Sequence, residues 1–363
     1  MKKTSHRIVG AGLFALDVIV RVDGKVSSPV LGGSAGNVLC ILGALGWKAT
    51  PVGTLGDDPA AQMVQRDFAS VEADLRFMLR SADRSTPIVY QHQLTSQDGL
   101  THRFSFACPT CGIRRPPYWD DESLFTTERS ALPPGSVFFL DRATRLGVAL
   151  AEHYAQTGAV VVFEPSTIGD DPDLFGRAVR CAHIVKYADD RISGLSGFGF
   201  HLQSASVEIQ TRGADGLRFR APSLDNQWLS LGAYELPDMH DTAGAGDWCT
   251  AGMIFELFRQ GAMAQRVTDY NALTRALTFG QALSTLNCMT EGARGLLATW
   301  SASRILRSAR ELSAQRLNTL YAERLHELTR ICDVRMDALA DDISQWTMTP
   351  RSSADSFPCC PAF

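Results

Sequence analysis

The chain has 363 residues, 45% of them hydrophobic and 20% charged, with a formal net charge of -4 at pH 7. That supplies a sizeable core for one large α/β domain or two ordinary ones, and too little charge of one sign to expect nucleic acid as a partner. No segment reaches ~18 uninterrupted apolar residues, so no membrane-spanning helix is expected.

Lys2, Lys3 and Arg7 precede the apolar run Ile8 to Val20, which superficially resembles a secretory signal. Asp17 interrupts that run, and Arg21, Asp23 and Lys25 follow without a small-residue cleavage pattern, so a first strand with a polar residue at its end fits better. A cytoplasmic protein is expected. Pro29 to Gly33 reads as a turn, Ser34 to Gly46 as a helix, Thr50 to Leu55 as a strand and Ala60 to Ala69 as a helix. From Pro87 to Phe106 the pattern changes to short alternating stretches around Ser96-Gln97-Asp98-Gly99, which predicts a β-hairpin set apart from a parallel core.

Strand and helix signals then alternate: Val137 to Leu140, Leu146 to Thr157, Ala159 to Phe163, Asp173 to Arg180, His183 to Val185 and Val207 to Thr211. Such alternation implies βαβ units and a parallel sheet covered by helices. Ligands on such sheets sit beyond the carboxyl ends of the strands. The stretch from Ser303 to Ala340, rich in Arg, Leu, Ala and Glu, reads as one or two added helices, and Thr349 to Phe363 as a loose tail.

Nine cysteines, an odd number scattered along the chain, indicate reduced thiols and no disulfide framework. Cys108-Pro109-Thr110-Cys111 is the one close pair. A zinc site needs about four ligands and no second such pair lies nearby, so a plain turn is expected; a zinc shared between subunits or a redox pair is the alternative.

The stretch richest in chemistry is Asp241-Thr242-Ala243-Gly244-Ala245-Gly246-Asp247, followed by an apolar run to Phe258. Its small residues let the backbone approach a ligand closely, and a helix opening there aims free N–H groups and a positive dipole end at an anion. Asp247 then falls in the first turn, where a carboxylate can take the proton of an attacking hydroxyl, or serve only as a cap.

This heptapeptide resembles the C-terminal signature of the PfkB, or ribokinase-like, sugar and nucleoside kinases. Gly32-Gly33-Ser34-Ala35-Gly36-Asn37, followed by Val52-Gly53-Thr54-Leu55-Gly56-Asp57-Asp58, resembles the N-terminal one. The resemblance covers roughly residues 7 to 300. It implies an α/β, ribokinase-like fold: a central, mostly parallel sheet flanked by helices, with a small β lid near residues 17–31 and 86–107. The kinase domain is then expected over 1–302, with a C-terminal extension over 303–363.

The resemblance further implies an ATP- and Mg²⁺-dependent kinase acting on a hydroxyl of a sugar, sugar derivative or nucleoside. A catalytically silent binding or scaffold protein is the alternative. By resemblance, Asp247 is the catalytic base, and the amides of Gly244, Ala245 and Gly246 form the anion hole. Asp17, Gly33, Asn37 and Asp241 line the substrate pocket. Thr211-Arg212-Gly213-Ala214-Asp215-Gly216 resembles the family's nucleotide loop, which assigns Thr211, Gly213 and Gly216 to nucleotide binding, with Gln281 near the adenine. A homodimer through the lid is also implied.

The chain departs from the family in four places, one of them Gln281, which stands where many members have an Asn. The family's Asn-x-x-Glu after a strand, whose Glu helps place hydrated magnesium, is replaced by Tyr187-Ala188-Asp189-Asp190. Asp190 keeps a carboxylate for Mg²⁺, at shorter reach. Glu164-Pro165-Ser166 stands where some sugar kinases have Asp-Pro-Asn, which implies an altered phosphate or substrate contact, and the Cys108–Cys111 element has no counterpart.

Overall fold

The near-continuous apolar strands of the sequence become the buried centre of one sheet, as expected where helices cover both faces. The computed structural model describes residues 6–317 apart from 28, 97–98, 116–131, 199–205, 237–238 and 262–266. Gln97 and Asp98 of the expected hairpin turn, the expected helix beyond 317 and the expected tail lie outside the described residues.

In chain order the described elements are β1 Arg7–Ala11, β2 Ala15–Val20, β3 Val30–Gly32, α1 Ser34–Ala44, β4 Lys48–Pro51, β5 Gly53–Gly56 and α2 Pro59–Ala69. After these come β6 Met78–Ser81, β7 Ile88–Ser96, β8 Gly99–Ser105, β9 Val137–Leu140, α3 Arg145–Gln156, β10 Val160–Phe163, α4 Pro172–Cys181 and β11 Ile184–Ala188. The remainder are β12 Val207–Thr211, β13 Leu217–Arg220, β14 Leu229–Leu231, α5 Ala245–Leu257, α6 Tyr270–Cys288, the short α7 Gly295–Thr299 and α8 Ala302–Leu317.

The main sheet has eight strands in the order β14-β13-β12-β11-β10-β9-β1-β4. Seven run in one direction and only β13 is reversed, pairing antiparallel with both β12 and β14 at one edge; this edge hairpin the apolar pattern did not announce. Alternation along each strand sorts the core into two layers. Ile8, Phe139, Val160, Val162 and Ile184 pack with the apolar residues of α1, α5 and α6. Val9, Phe138, Leu140, Val161, Phe163 and Val185 pack with those of α3 and α4.

The run from Arg7 to Val20, expected as one strand, is two. Gly12, at φ 144°, breaks it, and a Cβ there would fall 2.0 Å from an oxygen of Asp141, so no other residue fits. The chain then leaves the main sheet and β2 joins a separate four-stranded sheet, β3-β2-β7-β8. Asp17 therefore sits within β2 of this small sheet and not at the end of a central strand.

Past residue 302 the chain stays with the body. Ile305 and Ala309 of α8 are fully buried in the same core layer as α6.

Candidate active site

Helix starts separate the structural ends from those facing the site. Asp58, Thr144, Asp171 and Asp269 cap α2, α3, α4 and α6 by accepting from amides of the first turn. The helices α1 and α5 instead begin at Gly33 and Gly244 with no side-chain cap of their own. For α1 the amide of Ala35 is taken by Asp141, which also accepts from the amide of Leu13 and from Arg142. This carboxylate, at the end of β9 beside β1, fixes the loop where the chain turns into the small sheet. For α5, Gly244 adopts a left-handed conformation at φ 73°, and the amide of Ala245 bonds to the carbonyl of Thr242 at 3.1 Å.

Asp247, in the first turn of α5, is 8% exposed. Its Oδ2 accepts from the Asn37 side-chain amide at 2.8 Å, and the Ser34 hydroxyl stands near it. Burial, reinforced by the nearby Glu164 carboxylate, pushes Asp247 from 3.8 up to about 7; the Asn37 hydrogen bond, the Lys186 charge and the Ser34 hydroxyl act in the opposite sense. The other polar atom of Asn37, Oδ1, is buried without a protein partner.

Asp17 lies across the glycine pair that precedes α1. A Cβ on Gly32 would fall 1.8 Å from its carboxyl carbon, so the strand pairing of β2 with β3 at this point needs a residue without a side chain. Burial raises Asp17 to about 7, against the pull of Arg294 and of the nearby Gly33 amide. Its Oδ1 is buried and has no protein partner. Two buried acceptors without protein partners, Asp17 Oδ1 and Asn37 Oδ1, fit a polyhydroxylated ligand that donates to them.

Asp241 is differently placed. Its oxygens accept from the amides of Ala243 and Gly292, both at 2.9 Å, and from the Gln91 side chain of the small sheet. The carboxylate is filled by protein donors and organises the turn before α5. Asn287, fully buried at the end of α6, donates to the carbonyls of Ala243 and Gly292.

The loop after α6 ties these parts together. Glu291 receives a two-point contact from Arg21 at 3.0 and 2.7 Å, and a third donor from Gln93. The carbonyl of Ala293 accepts from the Trp248 indole at 2.9 Å. Arg294 donates to the carbonyl of Leu31, to Asp67 and to the Cys40 sulfur.

The residues expected at the nucleotide gather at the antiparallel edge. Thr211 ends β12, while Gly213 and Gly216 bound the short turn into β13, both at positive φ. Gly216 packs against the Leu231 carbonyl, which also accepts from the Gln281 side chain of α6; Gln281 Oε1 is buried and lacks a protein partner. Asp190 is exposed in the turn after β11. Tyr187 points the other way: it is buried in the α3 and α4 layer, and its hydroxyl donates to Glu208 at 2.5 Å. Among the described residues no cluster of three His, Cys, Asp or Glu stands ready to hold a metal.

Cys108 and Cys111 bracket a tight turn closed by Gly112 N–H to the carbonyl of Cys108 at 3.0 Å, with Cys108 buried and Cys111 exposed.

Sequence reasoning left Asp141, Gln91, Thr250, Glu291 and Arg294 without roles, and Lys186 was seen only as part of an altered motif. Lys186 carried the clearest signal, since a lysine inside the apolar run Ile184 to Tyr187 has to be buried with a partner.

No protein-family model matches the chain. Its sequence is 27% identical over 307 residues to an ATP-dependent ribose-1-phosphate kinase of Halopiger xanaduensis, covering 79% of this chain and 94% of that one. It is 24% identical over 279 residues to the aminoimidazole riboside kinase of Salmonella typhimurium, covering 72% and 83% respectively. Among solved structures, the ATP-bound fructokinase of Xylella fastidiosa superimposes with a TM-score of 0.64 at 16% identity, over 85% of this chain and 99% of that one. The chain has the ribokinase-like fold, and over most of its length its sequence is similar to that of sugar and nucleoside kinases with this fold.

Proposed function

We propose that this protein is an ATP-dependent kinase that transfers the γ-phosphoryl group to a hydroxyl of a sugar, sugar derivative or nucleoside, with Asp247 as the base. The observation that carries this reading is the position of Asp247: buried in the first turn of an uncapped helix, held by Asn37, with a carboxyl group poised near neutrality. A base tuned close to the working pH takes a hydroxyl proton most effectively. The amides at the start of α5, from Gly244 to Gly246, are the proposed donors to the charge that spreads over the transferring phosphoryl group, Ala245 sharing its N–H between that charge and the Thr242 carbonyl.

Asp17, Gly33 and Asn37 form the proposed acceptor pocket, where Asp17 takes hydrogen bonds from substrate hydroxyls. Asp241 supports this pocket by fixing the turn and Gln91 of the lid. Thr211, Gly213, Gly216 and Gln281 form the proposed nucleotide site. The four-stranded sheet is the proposed lid over the acceptor; its closure keeps water from taking the phosphoryl group. Mg²⁺ carried on the nucleotide phosphates needs few protein ligands. The exposed carboxylate of Asp190 suits that demand, and the ion would supply neutralising charge to the phosphates.

The lid sheet exposes Val30 and Phe104, at 44% and 48%, which favours a homodimer formed through it. No helix among the described residues is long and apolar enough to cross a membrane, and we place the protein in the cytoplasm, where ATP and reduced thiols are found.

The test is ATP turnover with Mg²⁺ against pooled sugars, sugar phosphates and nucleosides, including ribose 1-phosphate and aminoimidazole riboside. ADP release that depends on one pool is expected. Nucleotide binding without turnover in any pool would identify a silent binding protein instead.

A further inference from the structure

Strand alternation places Ile184 and Lys186 of β11 on the sheet face covered by α5, where an apolar residue is due. Lys186 is nevertheless there, with its side chain 1% exposed. Its Nζ donates to Glu164, the residue just past β10, and to the carbonyl of Gly246 at 3.3 Å. The second oxygen of Glu164 accepts from the Thr250 hydroxyl, one turn beyond Asp247 on α5, at 2.5 Å. The backbone of Gly246 passes close by: a Cβ on it would stand 3.5 Å from Glu164 Oε1 and 3.8 Å from Lys186 Nζ.

A buried ion pair is weak evidence for stability, since apolar residues of the same volume often serve as well. This one lies directly behind the turn that carries the base. We propose that Lys186, Glu164 and Thr250 form a positioning device for phosphoryl transfer: Lys186 pins the Gly246 carbonyl and sets a fixed positive charge behind Asp247, while Glu164 and Thr250 hold that charge in place. The proposal deepens the kinase reading and rests on it.

The charged and titratable groups facing Asp247 and Lys186 come from every element packed there. They are Glu164 after β10, Lys186 on β11, and Cys249 on α5, with the neutral Asn37 and Ser34 on α1. Burial alone would lower Lys186, but Glu164, Cys249 and Asp247 together hold it above its ordinary value, so it is an ammonium at neutral pH. Glu164 raises Asp247 and Lys186 lowers it, so removing each must move the base in opposite directions.

The test is a linkage measurement that needs no acceptor. The difference in unfolding free energy between chains with Asp and with Asn at position 247, followed from pH 4 to 9, reports the titration of Asp247. The Lys186→Met background is expected to move its midpoint up by about a pH unit or more, and Glu164→Gln to move it down. Lys186→Arg should leave it nearly in place, and Lys186→Met with Glu164→Gln together should bring it back toward wild type. The acid limb of kcat against pH should follow the same order. If Lys186→Met does not fold, the downward shift in Glu164→Gln and the constancy in Lys186→Arg still decide. An unchanged midpoint in every background overturns the proposal and leaves the kinase reading intact. Near-normal turnover of Asp247→Asn overturns that reading, whatever Lys186 does.

Discussion

The side chain of Asn37 donates to Asp247 across 2.8 Å, joining the first turns of two helices that start 211 residues apart in the chain. The two signature segments thus meet in one hydrogen bond. Replacing Asp247 with Asn keeps the shape and removes the proton acceptor. The expected loss in kcat is ~10²–10⁴-fold, with ATP affinity little changed. In the wild type, kcat should rise with pH through about 7, since the proposed base works only when ionised and burial holds it protonated below that. A pH profile with separate ATP titrations checks both.

Asp17 makes a prediction about stability as well as binding. Its rise from 3.8 to about 7 means that the folded state holds the proton more tightly than the unfolded chain. The penalty for ionising it is absent below pH 3.8, grows between 3.8 and about 7, and is complete above. Asp17→Asn should therefore stabilise the protein at pH 8 by up to ~4 kcal/mol, at ~1.36 kcal/mol per pH unit, and by nothing near pH 3.5. Its KM for the acceptor should rise far more than its KM for ATP. Unfolding at the two pH values, with steady-state kinetics, tests the pair of expectations.

The two-point contact of Arg21 with Glu291 holds the lid to the loop after α6 from an exposed position, with both side chains more than 40% accessible. Such pairs contribute little to global stability and are screened by salt. Arg21→Ala should leave the unfolding midpoint nearly unchanged yet raise the acceptor KM ~3–10-fold and the share of ATP lost to water. The charge swap Arg21→Glu with Glu291→Arg should recover part of the loss. Equal coupling of ATP use to product in Arg21→Ala and wild type would remove the latch.

Cys108 and Cys111 face different surroundings, one buried and one exposed, across a turn already closed by backbone hydrogen bonds. The purified protein is expected to carry no stoichiometric zinc, and Cys108→Ser with Cys111→Ser should keep its oligomeric state. About half a zinc per chain, lost together with dimerisation in the double variant, would make the pair a structural clamp.

Much of the sheet was legible because buried parallel strands such as Val137–Leu140 and Val160–Phe163 are apolar throughout and bounded by turns. The small residues around Asp247 were legible for a local reason: backbone approach to an anion demands them. The break at Gly12 was not, because Asp141, which requires it, lies well over a hundred residues away. The β13–β14 hairpin escaped for another reason. Arg218 and Arg220 stack on Trp228 and bond Gln210 and Glu208, so its polar residues look like loop. Tyr187 and Asp190 were read as one motif, yet the pleat sends Tyr187 into the far layer.

The loop from Glu291 to Arg294 gives each of its four residues to a different client: the lid, the turn before α5, the indole of α5, and the strand that borders Asp17. Its length is therefore constrained by all four attachments. An inserted or deleted residue shifts all four attachments at once, whereas a single substitution on β7, at Gln93 for example, removes one contact with this loop. A change of acceptor preference is accordingly easier to make by substitution on the small sheet than by altering the length of this loop.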